Sequence, residues 1–339
     1  MQVQRPCHAG LRPPPAAPGP ARPHGRRPAP AGPSLLSEAP ARPRTMLALS
    51  LLRTLRPYQW VKNVFVLAPL VFAKQLMSPR AVLWALGATA LFCLASGLVY
   101  LINDLVDLER DRLHPVKKDR PIASGALPLG TARAAATLLG PGILVGGYLL
   151  SGHLASILAA YIALNLFYSI VTKHLPYLDV LSIAGGFLLR VLGGALAISV
   201  PASTWLLLCT GLLAMTLGLG KRAHELSVLG EEAFRVRAVL SRYSLPALKT
   251  VMIAVALATV AAYALYTLSP ETMRAFGTRY LVATAPFPLF GLLRFYQLVT
   301  HPHRTSSPTD EMLRDLPFLL NFMVWSVAIV LVIYVSPGH

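Results

Sequence analysis

Residues 81–111 read AVLWALGATALFCLASGLVYLINDLVDLERD, a long apolar run that ends in a cluster of acids. Its first 23 residues hold no Asp, Glu, Lys or Arg, and about 20 such residues in a helix suffice to cross a bilayer core. Four more charge-free blocks follow, at 134–172, 191–220, 250–270 and 316–339. Over all 339 residues, 55% are hydrophobic and only 13% charged, with a mean hydropathy of +0.56. That excludes an ordinary soluble enzyme and points to an all-α, polytopic membrane protein. Nine transmembrane helices are expected, at roughly 60–77, 81–102, 131–150, 153–172, 179–199, 203–220, 248–268, 280–299 and 317–335. The first rests on the shortest uncharged run, with Lys62 and Lys74 snorkelling to the two interfaces.

The charge pattern orients the chain. Formal net charge is +17, yet the cations lie between apolar blocks and in the N-terminal 46 residues, so headgroups, phosphorylated ligands and topology explain it better than nucleic acid. Connections after helices 2, 4, 6 and 8 carry Arg110, Arg112, Lys117, Lys118 and Arg120, then Lys173, then Lys221, Arg222, Arg235, Arg237, Arg242 and Lys249, then Arg304 and Arg314. Those after helices 3 and 5 carry no Lys or Arg. By the positive-inside rule these even-numbered connections face the cytoplasm, as a polar cap on a multi-pass protein of the inner (plasma) membrane. Residues 1–46 contain 12 of the 29 prolines and seven arginines, too little apolar surface to order themselves. Met46 stands directly before the first amphipathic stretch, so translation is expected to start there, leaving 47–339 as a single transmembrane catalytic domain. Three cysteines, none in a CxxC arrangement, offer neither a disulfide framework nor a zinc site.

Chemistry concentrates where the second helix ends. Five of the chain's 14 acids, Asp104, Asp107, Glu109, Asp111 and Asp119, fall within residues 103–119. Asp104, Asp107 and Asp111 are spaced i, i+3, i+7, and Asn103 lies four before Asp107, so a continuing helix presents these oxygens from one face. Carboxylates that close repel unless a cation sits among them, and hard oxygen ligands completed by ligand phosphate suit magnesium. Lys117 and Arg120 follow directly, and acids for metal beside bases for phosphate make a diphosphate site. Tyr168, Lys173 and Asp179 lie on the same expected side, although a juxtamembrane lysine is equally explained by topology alone. Lys221 and Arg222 end helix 6, as a phosphate-binding pair or an interfacial anchor. Arg190, about 16 Å along helix 5, is a midspan charge and a functional candidate by position.

The run Asn103-Asp104-x-x-Asp107-x-x-x-Asp111 resembles the first signature of the UbiA superfamily of intramembrane prenyltransferases, and the likeness extends over everything after about residue 50. Within it, His114-Pro-x-Lys117-x-x-Arg120-Pro-Ile-Ala-Ser-Gly125, Arg56-Pro-Tyr-Gln-Trp-Val-Lys62-Asn63 and Tyr168-x4-Lys173-x5-Asp179 look most like the branch that moves phosphoribose to decaprenyl phosphate. Gly220-Lys221-Arg222-x-x-Glu225, Arg242-Tyr243-Ser244 and Asp310-Glu311 with Arg314-Asp315 are similar to that branch as well. Relatives using prenyl diphosphate carry a second acid pair before helix 5, whereas here Asp179 is followed four residues later by Ile183. The resemblance implies magnesium-dependent transfer of 5-phosphoribose from phosphoribosyl diphosphate to a polyprenyl phosphate, making a precursor for cell-envelope arabinan. It further implies that Asn103, Asp104, Asp107 and Asp111 hold metal and diphosphate, with Asp179 the fourth catalytic acid. Lys117 and Arg120 would bind donor phosphates, Tyr168, Lys173 and Asp179 would complete the polar cap, and Lys62, Lys221 and Arg222 would take the lipid phosphate. A prenyltransferase acting on an aromatic or quinone precursor is the alternative, followed by a non-catalytic lipid-binding protein. A homo-oligomer is compatible with all three; nucleic acid is not an expected partner.

Overall fold

A computed structural model describes residues 44–229, 238–300 and 308–335. Among them the fold is helical throughout. In chain order the helices are α1 (Arg44–Leu55), α2 (Ala68–Phe72), α3 (Pro79–Val106), α4 (Leu108–Leu113), α5 (Leu129–Leu150), α6 (Leu154–Ile170) and α7 (Leu178–Ala197). Then come α8 (Thr204–Leu229), α9 (Leu245–Leu268), α10 (Pro270–Phe276), α11 (Pro286–Thr300), α12 (Pro308–Met312) and α13 (Leu316–Tyr334). Eight of them, α3, α5, α6, α7, α8, α9, α11 with its preceding 3-10 turn, and α13, are long and apolar enough to cross a membrane. The protein is therefore a multi-pass membrane protein, and eight of the nine expected spans are matched. Most of the N-terminal tail, and Arg235, Arg237 and Arg304, lie outside the described residues; residues 44–46, at the edge of the tail, already belong to α1.

The expected span 60–77 is not one α-helix. Pro57–Leu67 forms a 3-10 helix that hands over to the five-residue α2, which ends at Phe72. Pro57 and Pro69 lack the backbone N–H an α-helix would use, and Arg56 enters with φ 54°. Packing favours the narrower helix too. A Cβ on Gly194 of α7 would collide with the carbonyl of Val66, so backbone meets backbone there. Gly193, one residue earlier, accepts the Phe92 ring of α3 in the same manner. Small residues that let helices approach are the usual means of association where burial from water supplies no drive.

Caps set the helix ends. Ser78 accepts from the Ala81 N–H at 3.4 Å to open α3, and Asp315 accepts from the Phe318 N–H at 2.9 Å to open α13. The last helix closes onto the first segments: the Tyr334 hydroxyl accepts from the Leu76 N–H and donates to the Val71 carbonyl, both at 3.1 Å. Because successive spans alternate in direction, the end of α3, the start of α7, the end of α8 and the start of α9 share one end of the bundle.

Candidate active site

At that end the α3 helix runs on almost unbroken through the acidic motif. Asp107 departs to φ −87°, ψ 8°, while its N–H still donates to the Asn103 carbonyl and its carbonyl accepts from Asp111, both at 2.9 Å. The expected single face is thus kept for Asp104 and Asp111, which are both 3% exposed. Their carboxylates converge on one guanidinium: Arg120 Nη1 donates to Asp104 Oδ1 at 3.1 Å and to Asp111 Oδ2 at 2.6 Å. Arg56 adds a second cation, Nη2 donating to Asp104 Oδ1 at 2.7 Å, while its guanidinium lies 4.7 Å from the Tyr100 ring centre. Two buried carboxylates against two part-exposed arginines make a neutral cluster, which is how such charges tolerate burial.

Asp107 and Asn103 sit beside the cluster half-buried, and no three acidic, histidine or cysteine side chains converge for a metal among the described residues. Here arginine, not a third acid, fills the point where Asp104 and Asp111 meet, with Asp107 alongside. The donor set still fits magnesium. Two carboxylate oxygens already share one cationic centre, and magnesium is commonly held by one or two carboxylates plus ligand phosphate.

A second polar cluster joins α7, α8 and the 3-10 turn Ala238–Arg242 that precedes α9. Asp179 and Arg222 are both fully buried, with Arg222 Nε 3.2 Å from Asp179 Oδ2. That contact is an ion pair by distance but is misaligned as a hydrogen bond, and Arg222 Nη2 bonds to nothing among the described residues. Arg222 also pairs with Glu225 one turn on. The Tyr243 hydroxyl donates to Asp179 Oδ1 at 2.7 Å and accepts from the Tyr177 N–H at 2.5 Å. Burial pushes the Tyr243 phenol well above its usual range, and the bond to Asp179 acts in the same direction.

Arg190 lies inside the bundle, 7% exposed, and its hydrogen-bond partners among the described residues are all neutral. Its Nε donates to Asn63 Oδ1 at 2.7 Å, Nη2 to the Tyr161 hydroxyl at 2.8 Å and Nη1 to the Gly186 carbonyl at 2.9 Å. Ser96 completes the group, 3.1 Å from the Tyr161 hydroxyl. Hydrogen-bonding the cation from three helical segments rivets the 3-10 helix, α6 and α7 together.

The remaining candidates are placed as follows. Lys62 Nζ donates to Gln59 at 2.6 Å near the start of the 3-10 helix. Lys117 is exposed, Lys173 and Lys221 are half-buried, and Tyr168 lies within electrostatic range of Arg222. Arg222 itself, expected at a lipid phosphate, is turned inward onto Asp179, away from the surface role. Two residues were not singled out from the sequence for these contacts: Arg56, noted only within its run up to Asn63, and Tyr243, noted only within its Arg-Tyr-Ser run. The signal for Arg56 was its place in the run up to Asn63; for Asn63, Ser96 and Tyr161 it was a midspan arginine that needed partners.

This bundle with an acid-rich helix end defines a class. The family model described as the UbiA prenyltransferase family matches residues 63–313, and the chain belongs to that family. It is 33% identical over 302 residues to a decaprenyl-phosphate phosphoribosyltransferase of Corynebacterium glutamicum, covering 87% of this chain and 90% of that one. A protein of the same name from Mycobacterium tuberculosis is 31% identical over 292 residues, covering 84% and 94%. Among solved structures, a UbiA homolog from Archaeoglobus fulgidus bound to DMAPP and Mg2+ superposes with a TM-score of 0.63 at 17% identity, covering 85% of this chain and all of that one.

Proposed function

We propose that the protein transfers 5-phosphoribose from phosphoribosyl diphosphate to a polyprenyl phosphate, releasing pyrophosphate, at the cytoplasmic face of the inner membrane. The observation carrying this reading is the paired cluster of Asp104 and Asp111 with Arg56 and Arg120, in a chain similar along most of its length to decaprenyl-phosphate phosphoribosyltransferases. The absence of a second acid pair on α7 supports it over prenyl diphosphate chemistry: Asp179 is the only acid in that helix, and its carboxylate is engaged by Arg222 and Tyr243.

The reaction asks for little proton transfer. An oxygen of the lipid phosphate, already anionic, forms a bond to C1 of the ribose as the bond from C1 to pyrophosphate breaks, and the bonding pair leaves with pyrophosphate. Stabilising that leaving charge is the main demand. Asp104 and Asp111, helped by Asp107 and Asn103, would hold a magnesium ion, which when bound neutralises the leaving diphosphate. Arg120 and Arg56 move from carboxylate to phosphate oxygens as the donor enters, and Lys117 at the open rim adds a third cation. Lys173 faces the ribose end, and the buried Asp179 behind it anchors Arg222 and Tyr243. Lys62 and Lys221 meet the lipid phosphate, while Arg222 acts through Asp179. The apolar helices keep the polyprenyl chain in the bilayer beside the site, and the product is the lipid-linked precursor for arabinan.

The test is donor choice. Protein in nanodiscs receives, in parallel, radiolabelled phosphoribosyl diphosphate with polyprenyl phosphate, and prenyl diphosphate with an aromatic acid. Label entering the organic phase only in the first reaction, and stopping with EDTA, supports the reading. Turnover only in the second overturns it.

A further inference from the structure

We propose that Tyr243 is a positioning residue: it pins the 173–179 connection, through Tyr177 and the buried Asp179, in the shape that presents Lys173 to the ribose end of the donor. This rests on the functional reading above and adds a residue that reading does not use.

Three observations carry it. Tyr177 holds φ 65°, ψ −37°, a region disfavoured for any residue with a Cβ. Backbone bonds from the Asp179 N–H to Leu175 and from the Leu181 N–H to Tyr177 hold part of the turn, and one side chain from another part of the chain adds the rest. The Tyr243 hydroxyl takes the Tyr177 N–H, its ring meets the Tyr177 ring edge-on at 5.1 Å and 74°, and its own proton goes to Asp179 Oδ1. A single phenol therefore bridges the strained residue and the buried acid two positions later, using its acceptor and its donor at once.

The bridge comes from a different part of the chain. Tyr243 ends the connection between α8 and α9, 66 residues beyond Tyr177. Its neighbouring 3-10 turn packs against the 3-10 turn Thr172–His174 that contains Lys173. Without the phenol, Asp179 Oδ1 keeps, among the described residues, only the adjacent Val180 N–H at 2.8 Å, and the Tyr177 turn loses a bond that offsets its strain. Lys173 then hangs from a connection free to relax toward ordinary dihedrals. The expected loss is in donor binding rather than in bond breaking, because the Asp104–Asp111 cluster lies on another helix.

The test compares wild type, Tyr243→Phe, Tyr243→Phe/Tyr177→Gly and Tyr263→Phe in nanodiscs. Tyr243→Phe keeps the ring and removes both hydrogen bonds, so the KM for phosphoribosyl diphosphate rises about tenfold, the loss expected for one bond to a charged group. Its kcat stays within about threefold and the KM for polyprenyl phosphate is unchanged. Backbone amide exchange in the 175–179 peptide quickens. Tyr177→Gly in that background lowers the donor KM again, since glycine takes a positive φ without strain. Tyr263→Phe, which loses a buried phenol bonded to Thr284 in another part of the fold, changes none of these. Normal wild-type transfer with an unchanged donor KM in Tyr243→Phe overturns the inference alone, whether or not exchange quickens. No transfer by the wild type overturns the functional reading and this inference with it.

Discussion

Replacing Asp104 by Asn separates what the acidic cluster does for stability from what it does for chemistry. Asp104 Oδ1 receives Arg56 at 2.7 Å and Arg120 at 3.1 Å, and is itself 3% exposed. Asn keeps the size and one oxygen acceptor but not the charge, so both bonds become charged-to-neutral. Losing the carboxylate's charge should remove about 1 kcal/mol from each of two such bonds. The arginines are 20% and 27% exposed and hydrate in compensation, which trims the sum to about 1–2 kcal/mol. Arg120 also keeps Asp111 at 2.6 Å. Asp104→Asn should therefore fold, with a Tm lower by about 2–8 °C at about 2–4 °C per kcal/mol. Transfer should fall far more, by about 10²–10³, the order seen when one group stabilising transition-state charge is removed. Thermal unfolding in nanodiscs and label transfer at saturating donor read the two separately. Near wild-type transfer with ordinary magnesium dependence would show that Asp104 holds neither metal nor diphosphate, whatever the Tm.

Other consequences are equally direct. Gly194→Ala drives a methyl onto the Val66 carbonyl, and since backbone cannot swing aside the cost should be about 1–3 kcal/mol, read as a lower Tm. Asn63→Leu strands the Arg190 Nε inside the bundle and should cost about 1–3 kcal/mol, whereas Asn63→Leu/Arg190→Met should recover part of it because no buried donor is left unpaired. The raised Tyr243 phenol keeps its proton when the unfolded chain's tyrosine has lost one, so its contribution to stability is full below the ordinary tyrosine pKa of about 10 and declines above it. Tm measured from pH 7 to 11 should be flat to about pH 9.5, then fall, and fall less steeply in Tyr243→Phe.

The eight long spans were legible because each is an apolar block of about 20 residues holding few charges, a signal that needs no knowledge of neighbours. The first expected span was misread for the opposite reason. Whether 57–72 winds as α or 3-10 depends on Pro57 and Pro69 together with the approach of Gly194 from a helix more than a hundred residues away, which is a tertiary fact. In the acidic motif, spacing alone put Asp104 and Asp111 on one face. It could not reveal that Arg56, 48 residues earlier, reaches the same oxygen. Lys221 and Arg222 look alike in sequence, but adjacent residues point about 100° apart around a helix of 3.6 residues per turn. One stays half-buried and the other is sealed onto Asp179.

The Asp104–Asp111 cluster is proposed as a magnesium-dependent site for phosphoribosyl diphosphate. Equilibrium binding of the labelled donor, without lipid acceptor, tests it most directly. Saturable binding that requires magnesium, disappears in Asp104→Asn and Asp111→Asn, and is not displaced by a prenyl diphosphate is the result expected. Equal binding in EDTA, or in both variants, would contradict it.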